Sequence, residues 1–248
     1  MALINLEAKP RPIALETAKA ALIVVDMQND FGSKGGLFDH GGVDIACIQK
    51  VVPAIARAIA VARTAGMKVI YLKMGFRPDL SDMGTDDAPN RVRHLHFGVG
   101  QPMKTPEGKE GRFLVRDTWG TAIVSELASA PGDVEIWKTR FSGFYETELD
   151  AMLKELGVKQ LVFTGCTTSI CVESTVRDAM FRDYQCVLLR DCMAEPIGNN
   201  LSRTNHEASL LSVEALLGWT ANSDDFAKCL RTEAPTDFPL RRAVPSAV

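Results

Sequence analysis

Four short runs constrain this chain more than any other feature: ALIVV (Ala21–Val25), KVIYLKM (Lys68–Met74), QLVFTG (Gln160–Gly165) and CVLLRD (Cys186–Asp191). Each is rich in β-branched residues and almost continuously apolar, the pattern of a strand covered on both faces rather than of one with a wet side. VEIWK (Val134–Lys138) is a weaker fifth. Helical patterns separate them. VVPAIARAIAVARTAG carries Pro53 near its expected start and Gly66 at its stop, and ETELDAMLKELG has Thr147 as N-cap and ends at Gly157. VESTVRDAMFRDY puts Val172, Val176, Met180 and Tyr184 roughly on one face. Strand and helix alternating in this way predict an α/β fold, a three-layer α/β/α sandwich around a mainly parallel sheet with right-handed crossovers.

The chain of 248 residues, 46% apolar, is long enough to bury such a core without disulfides or a metal. No internal repeat, low-complexity tract or linker divides it, so residues 1–248 read as a single domain. Within it, a long polar segment from Gly75 to Trp119 is rich in Gly, Pro, Asp and Arg; such a segment in a compact domain is usually a lid, a binding loop or a subunit contact. The tail from residue 233 onward reads as an extended arm. A net charge of -3 offers no attraction for nucleic acid or an anionic membrane, and no run approaches the ~20 apolar residues of a membrane span. The N-terminus lacks the charged and apolar regions of a signal peptide. Six cysteines in a chain of this length, none spaced C-x-x-C, are expected to be reduced thiols of a cytoplasmic protein.

In a doubly covered parallel sheet, ligands bind beyond the carboxyl ends of the strands. Three of those ends carry reactive groups: Asp26 follows the first strand, Lys138 closes VEIWK, and Cys171 lies a few residues past QLVFTG at an expected helix start. A helix N-terminus and a nearby ammonium favour a thiolate, and a carboxylate can take the thiol proton. Backbone N–H groups at the strand-to-helix turn face outward, where an oxyanion would form. Taken singly, Asp26 reads equally as a turn former, Lys138 as a solvated strand end and Cys171 as an apolar filler. Their placement on three strand ends points to acyl transfer on an amide.

ALIVVDMQNDF, the later Lys138 and GCTTSICVESTVRDA together resemble the isochorismatase-like cysteine hydrolases, over nearly the whole chain. The resemblance implies a three-layer α/β fold and a catalytic Asp–Lys–Cys triad, here Asp26, Lys138 and Cys171. It implies a cis peptide between Cys166 and Thr167, an oxyanion hole formed by the N–H groups of Thr167 and Cys171, and no cofactor. Cys166 then shapes the turn and does no chemistry.

Within the family, isochorismatases proper usually lack the cysteine. Nicotinamidases carry metal-binding histidines after the second strand, where this chain reads LKMGFRPDLSD; His94 and His96 form an H-x-H without a clear third ligand, so no metal is expected. KTRFSGFYETELDAML resembles ureidoacrylate amidohydrolases, and GSKGGLFDHGG and GFRPDLSD resemble biuret hydrolases. The resemblance therefore implies a small linear ureide as substrate, with triuret or biuret favoured and ureidoacrylate or an N-carbamoyl amino acid as the alternative. A non-catalytic binding module is the reading outside enzymology. A planar ureide needs hydrogen bonds, for which Gln28, Arg77 and Asp82 are candidates beside Asn29 and Asp79. Phe31 and Phe144 are expected as pocket walls, with Phe141 and Tyr145. The family usually forms homodimers or homotetramers, so an oligomer is expected.

Overall fold

The computed structural model describes residues 3–231. The arm expected from residue 233 onward lies outside the described residues. The chain opens with an antiparallel hairpin, β1 (Leu3–Leu6) and β2 (Ile13–Glu16). Six parallel strands follow in the main sheet: β3 (Ala20–Val25), β4 (Lys68–Met74), β7 (Val134–Lys138), β8 (Gln160–Cys166), β9 (Gln185–Ala194) and β10 (Trp219–Ala221). A small antiparallel pair, β5 (Pro102–Lys104) with β6 (Glu110–Arg112), stands apart. The main sheet is ordered β10-β9-β8-β3-β4-β7. The chain therefore starts in the middle, winds outward to β7, and returns to the other side of β3 with β8. The direction of winding reverses between β3 and β8, the point where a doubly wound sheet opens a crevice at its carboxyl edge.

Among the described residues eight α-helices complete the fold: α1 (Asn29–Gly32), α2 (Leu37–His40), α3 (Ala46–Thr64), α4 (Pro89–His96), α5 (Leu149–Glu155), α6 (Glu173–Met180), α7 (Asn205–Ser212) and α8 (Ser223–Arg231). Every residue of β3 and β8 is buried, which explains why their sequences do not alternate. Successive side chains of a strand point to opposite faces. Thus Leu22 and Val24 enter one core with Ile48, Ile55 and Ile59 of α3, while Ala21, Ile23 and Val25 enter the other with Leu149, Leu153 and Val176 from α5 and α6. These two cores bind the sheet to the helical layers on its two faces.

Three elements differ from the sequence reading. Glu148, not Thr147, is the N-cap of α5, which begins at Leu149; Thr147 stands one residue earlier, where its Oγ1 accepts the Leu149 N–H at 3.3 Å. Pro53 is inside α3, not near its start, because the helix begins at Ala46, where Asp44 Oδ1 accepts the Ala46 N–H at 2.9 Å. Ile48, fully buried on the same stripe as Ile55, ties the extra turns to the core and offsets the hydrogen bond that the proline cannot donate. The 75–119 segment is structured: it holds α4, β5 and β6, and anchors itself through buried Phe76, Met83, Val99 and Phe113. It lies over the carboxyl edge of the sheet and brings α4 to the crevice.

Candidate active site

Asp26 is the first residue beyond β3. Its backbone is left-handed, with φ of 52°, a conformation unusual outside glycine but tolerated by Asp. The turn keeps the Asp26 N–H paired with Leu72 O at 2.9 Å while the carboxylate faces the crevice. Its Oδ1 accepts the Met74 N–H at 3.0 Å, and Oδ2 accepts from Lys138 Nζ at 2.8 Å. Lys138, on the edge strand β7, is completely buried. Its ammonium also reaches Cys171 Sγ at 3.4 Å and Arg140 O at 3.4 Å, so each of its three N–H groups has a partner. Three strand ends therefore converge within hydrogen-bond reach of one nitrogen.

Cys171 sits in a π-helical turn, Thr168–Val172, between β8 and α6. Such wide turns recur at functional sites because they push one residue out of the helical path. The Cys166–Thr167 peptide is cis. The hydroxyl residues around the turn hold it in place. Ser169 N–H and Oγ both donate to the buried Glu195 carboxylate, at 2.7 and 2.6 Å, and Thr168 Oγ1 donates to Ala194 O at 3.2 Å. Thr175 Oγ1 donates to Cys171 O at 2.7 Å and accepts the Gly143 N–H at 3.0 Å, which ties the turn to the loop after β7. Cys166 is buried and donates its thiol to Asp26 O at 3.3 Å.

The charges decide the resting state. Burial pushes the Cys171 thiol well above its ordinary range, and the negative Asp26 beside it pushes the same way; the Lys138 charge opposes both without cancelling them. Burial alone would lower the Lys138 ammonium, yet Asp26 and Cys171 together hold it raised. Ionising the Cys171 thiol beside the Asp26–Lys138 ion pair is therefore disfavoured, against the thiolate expected from a helix start with an ammonium nearby.

Above this trio opens a cavity of about 200 Å³. Asp26, Cys166, Thr167 and Cys171 form its floor; Phe31, Leu37 and Phe38 from α1 and α2 form one wall; Arg93 and His94 from α4, with Phe97 just past its end, form another; Phe141, Ile170 and Ile197 close the rim. Of the residues expected at the substrate, Phe31 lines the cavity, as does Phe141. Gln28, Arg77, Asp82 and Phe144 do not. Gln28 is fully buried as a staple, donating to Met74 O and Thr121 O and accepting the Met74 N–H at 2.7 Å. Asp82 accepts the Arg77 N–H and pairs with Arg116, in a shallow outer depression that also holds Trp137 and Tyr145. Phe144 turns into the second core and stacks on Tyr184. Asn29 donates to Trp119 O and Asp79 accepts the Ser81 N–H, both as loop supports.

Sequence reasoning missed Arg93, Phe38, Ile197 and Glu195, and weighed His94 only as a metal ligand. One signal was there: Asn90, His94 and Phe97 lie at helical spacing after Pro89, a good first helical residue. Among the described residues no group of three or more His, Cys, Asp or Glu is placed to hold a metal ion, and no helix is long and apolar enough to cross a membrane.

An Isochorismatase domain model matches residues 20–225. The chain belongs to the isochorismatase family. It is 40% identical over 223 residues, 90% of this chain and 86% of the other, to a protein of Variovorax paradoxus (strain S110) named ureidoacrylate amidohydrolase RutB. A cysteine hydrolase from Pseudomonas syringae pv. phaseolicola 1448A superposes with a TM-score of 0.73 at 25% identity, covering 93% of this chain and 97% of that one. N-carbamoylsarcosine amidase from Thermoplasma acidophilum gives 0.61 at 26% identity, covering 83% and 97%. As a member of this family the protein is an amidohydrolase, and the α/β sandwich read from the strand pattern is the family's fold.

Proposed function

We propose that the protein hydrolyses the terminal C–N bond of a small N-carbamoyl carboxylic acid of the ureidoacrylate type, with Cys171 as nucleophile, Asp26 as general base and acid, and Lys138 as their shared counter-ion. The observation that carries this reading is the placement of Lys138 Nζ, buried 2.8 Å from the Asp26 carboxylate and 3.4 Å from Cys171 Sγ, the two groups that line the cavity floor above it. As Sγ attacks the carbamoyl carbon, Asp26 takes the thiol proton, and the N–H groups of Thr167 and Cys171 receive the oxyanion. Asp26 returns that proton to the terminal nitrogen; the C–N bond breaks, ammonia leaves and a thiocarbamate stays on Cys171. Water then attacks the same carbon, giving its proton to Asp26, and the C–S bond breaks. The thiol is restored and an N-carboxy product leaves, which loses carbon dioxide.

The choice of substrate rests on Arg93. It lines the cavity, and no ion pair engages its guanidinium among the described residues. A free cation at a wall of aromatic and aliphatic groups fits a substrate carboxylate. Triuret and biuret are uncharged and rich in N–H and C=O groups, and a cavity this apolar offers them few partners. The similarity to ureidoacrylate amidohydrolases supports the same choice. A homo-oligomer, dimer or tetramer, is part of the proposal, since Phe97 and Phe141 at the cavity rim are exposed apolar rings.

The test is ammonia release from ureidoacrylate, triuret, biuret, N-carbamoylsarcosine and nicotinamide at equal concentration, with the Cys171→Ser variant as control. Ureidoacrylate is expected to lead, and the variant to lose at least a thousandfold in kcat. Preference for triuret or biuret would move the substrate class; substantial activity in Cys171→Ser would remove the nucleophile.

A further inference from the structure

The imidazole of His94 is left over by the proposed chemistry, and its setting is specific. The ring lies between Phe76, at 5.1 Å and edge-on, and Phe141, at 5.6 Å. Its Nδ1 is 2.7 Å from Asn90 O, one turn back in α4. A carbonyl oxygen only accepts, so Nδ1 carries the proton and Nε2 of the neutral ring is bare. The ring lines the same cavity as Cys171, next in sequence to Arg93. The ring is buried as a whole, but Nε2 is not among the fully enclosed polar atoms that lack a partner, so a substrate donor in the cavity would meet this acceptor in place of water.

We infer that His94 Nε2 accepts the internal ureido N–H of the substrate, so that the site selects N-carbamoyl compounds whose internal nitrogen still bears a hydrogen. Because Arg93 and His94 both line this cavity, a substrate whose carboxylate meets the first can present its internal nitrogen to the second. This inference rests on the amidohydrolase reading above and deepens it. Burial lowers the His94 pKa and outweighs the Asn90 bond that favours the charged form, while the positive Lys138 and Arg140 add to the lowering. The ring therefore stays neutral, and an acceptor, at physiological pH.

The experiment compares ureidoacrylate with its derivative methylated on the internal nitrogen, for the unaltered protein, His94→Phe and His94→Gln. Phenylalanine keeps the aromatic packing and removes the acceptor; the Gln carbonyl reaches about where Nε2 stood. The unaltered protein is expected to show a KM about tenfold higher for the methylated compound, the order of one lost hydrogen bond. In His94→Phe that ratio should fall to within about twofold through a rise in KM for ureidoacrylate, with kcat for ureidoacrylate kept within about threefold, and His94→Gln should restore most of the ratio. Thermal melts and the rate of Cys171 alkylation by iodoacetamide verify that each variant is folded with its nucleophile in place. If His94→Phe keeps the original KM ratio, or if the loss is in kcat and His94→Gln does not recover it, His94 is a packing residue and the inference fails while the amidohydrolase reading stands. If the unaltered protein releases no ammonia from ureidoacrylate, both fall together.

Discussion

Asp30 offers a quantitative test of how the cavity wall is held. It lies on α1 beside Phe31, fully buried, and none of the ion pairs among the described residues includes it. Its carboxylate accepts the Leu37 N–H at 3.2 Å and the Leu114 N–H at 2.7 Å, joining α1 to α2 and to the segment after β6. Gly120 makes room for it: a Cβ there would come within 2.2 Å of Oδ2. Burial raises the Asp30 pKa from 3.8 to about 6, against the two N–H donors that pull it down. The folded protein thus holds this proton more tightly than the unfolded chain does. The stabilisation is fully present below pH 3.8 and is lost as pH rises through about 6. At about 1.4 kcal/mol per pH unit, the loss is about 3 kcal/mol. Asp30→Asn is permanently neutral and should lack this step. Urea unfolding of both proteins from pH 3.5 to pH 8, at one protein concentration, cancels every other titrating group in the difference. The stability of the unaltered protein relative to the variant should fall by about 3 kcal/mol across that range, or roughly 6–12 °C in melting temperature. A difference that stays flat, or that rises with pH, would refute the assignment of Asp30 as a buried carboxylate without a counter-ion.

Three further outcomes follow from the same geometry. Lys138→Met should lose about 3–5 kcal/mol of stability at pH 7, because it leaves the buried Asp26 carboxylate without its cation; urea unfolding measures this, and a loss below about 1 kcal/mol would mean the pair is not dry. Arg93→Glu should raise KM for ureidoacrylate more than tenfold and leave KM for uncharged biuret within about twofold, read from initial rates of ammonia release. Since burial and Asp26 raise the Cys171 pKa, its alkylation by iodoacetamide should be slow at pH 7 and climb steadily past pH 9, followed by peptide mass spectrometry. A plateau already reached at pH 7 would show a standing thiolate instead.

The parts of this molecule legible in its sequence are those where one physical demand acts alone. β3 and β8 are buried on both faces, so nothing polar is tolerated along them and the run is unbroken. Asp26, Lys138 and Cys171 stand at strand ends, and a parallel sheet delivers its strand ends to one edge. β10 is three residues long and β1 and β2 four each, too short for a periodic signal. α4 was hidden by its composition: His94 is its single buried residue, so it has no apolar stripe to read. The two phenylalanines of RFSGFYE show the other limit. Phe141 lines the cavity and Phe144 packs in the core, three residues apart in an irregular turn whose path no periodicity records.

The raised thiol pKa looks at first like an obstacle to nucleophilic catalysis, and the positions of the three groups explain why it need not be. Losing the Cys171 proton to solvent would put a second anion beside Asp26 in a buried site, and the raised pKa reflects that cost. Passing the proton to Asp26 is a different process. It converts a carboxylate–ammonium pair into a thiolate–ammonium pair, so the number of buried charges does not change. Lys138 Nζ is 2.8 Å from the one acceptor and 3.4 Å from the other. With an effective dielectric of about 20, moving the negative charge between those distances gives up only about 1 kcal/mol of attraction. The ammonium need not move to serve both states, and its third contact, Arg140 O at 3.4 Å, is untouched by the transfer. In the proposed mechanism, a buried lysine between Asp26 and Cys171 would therefore make the thiolate accessible at the moment of attack while favouring the thiol at rest, where a free thiolate in an open cavity would be prone to oxidation.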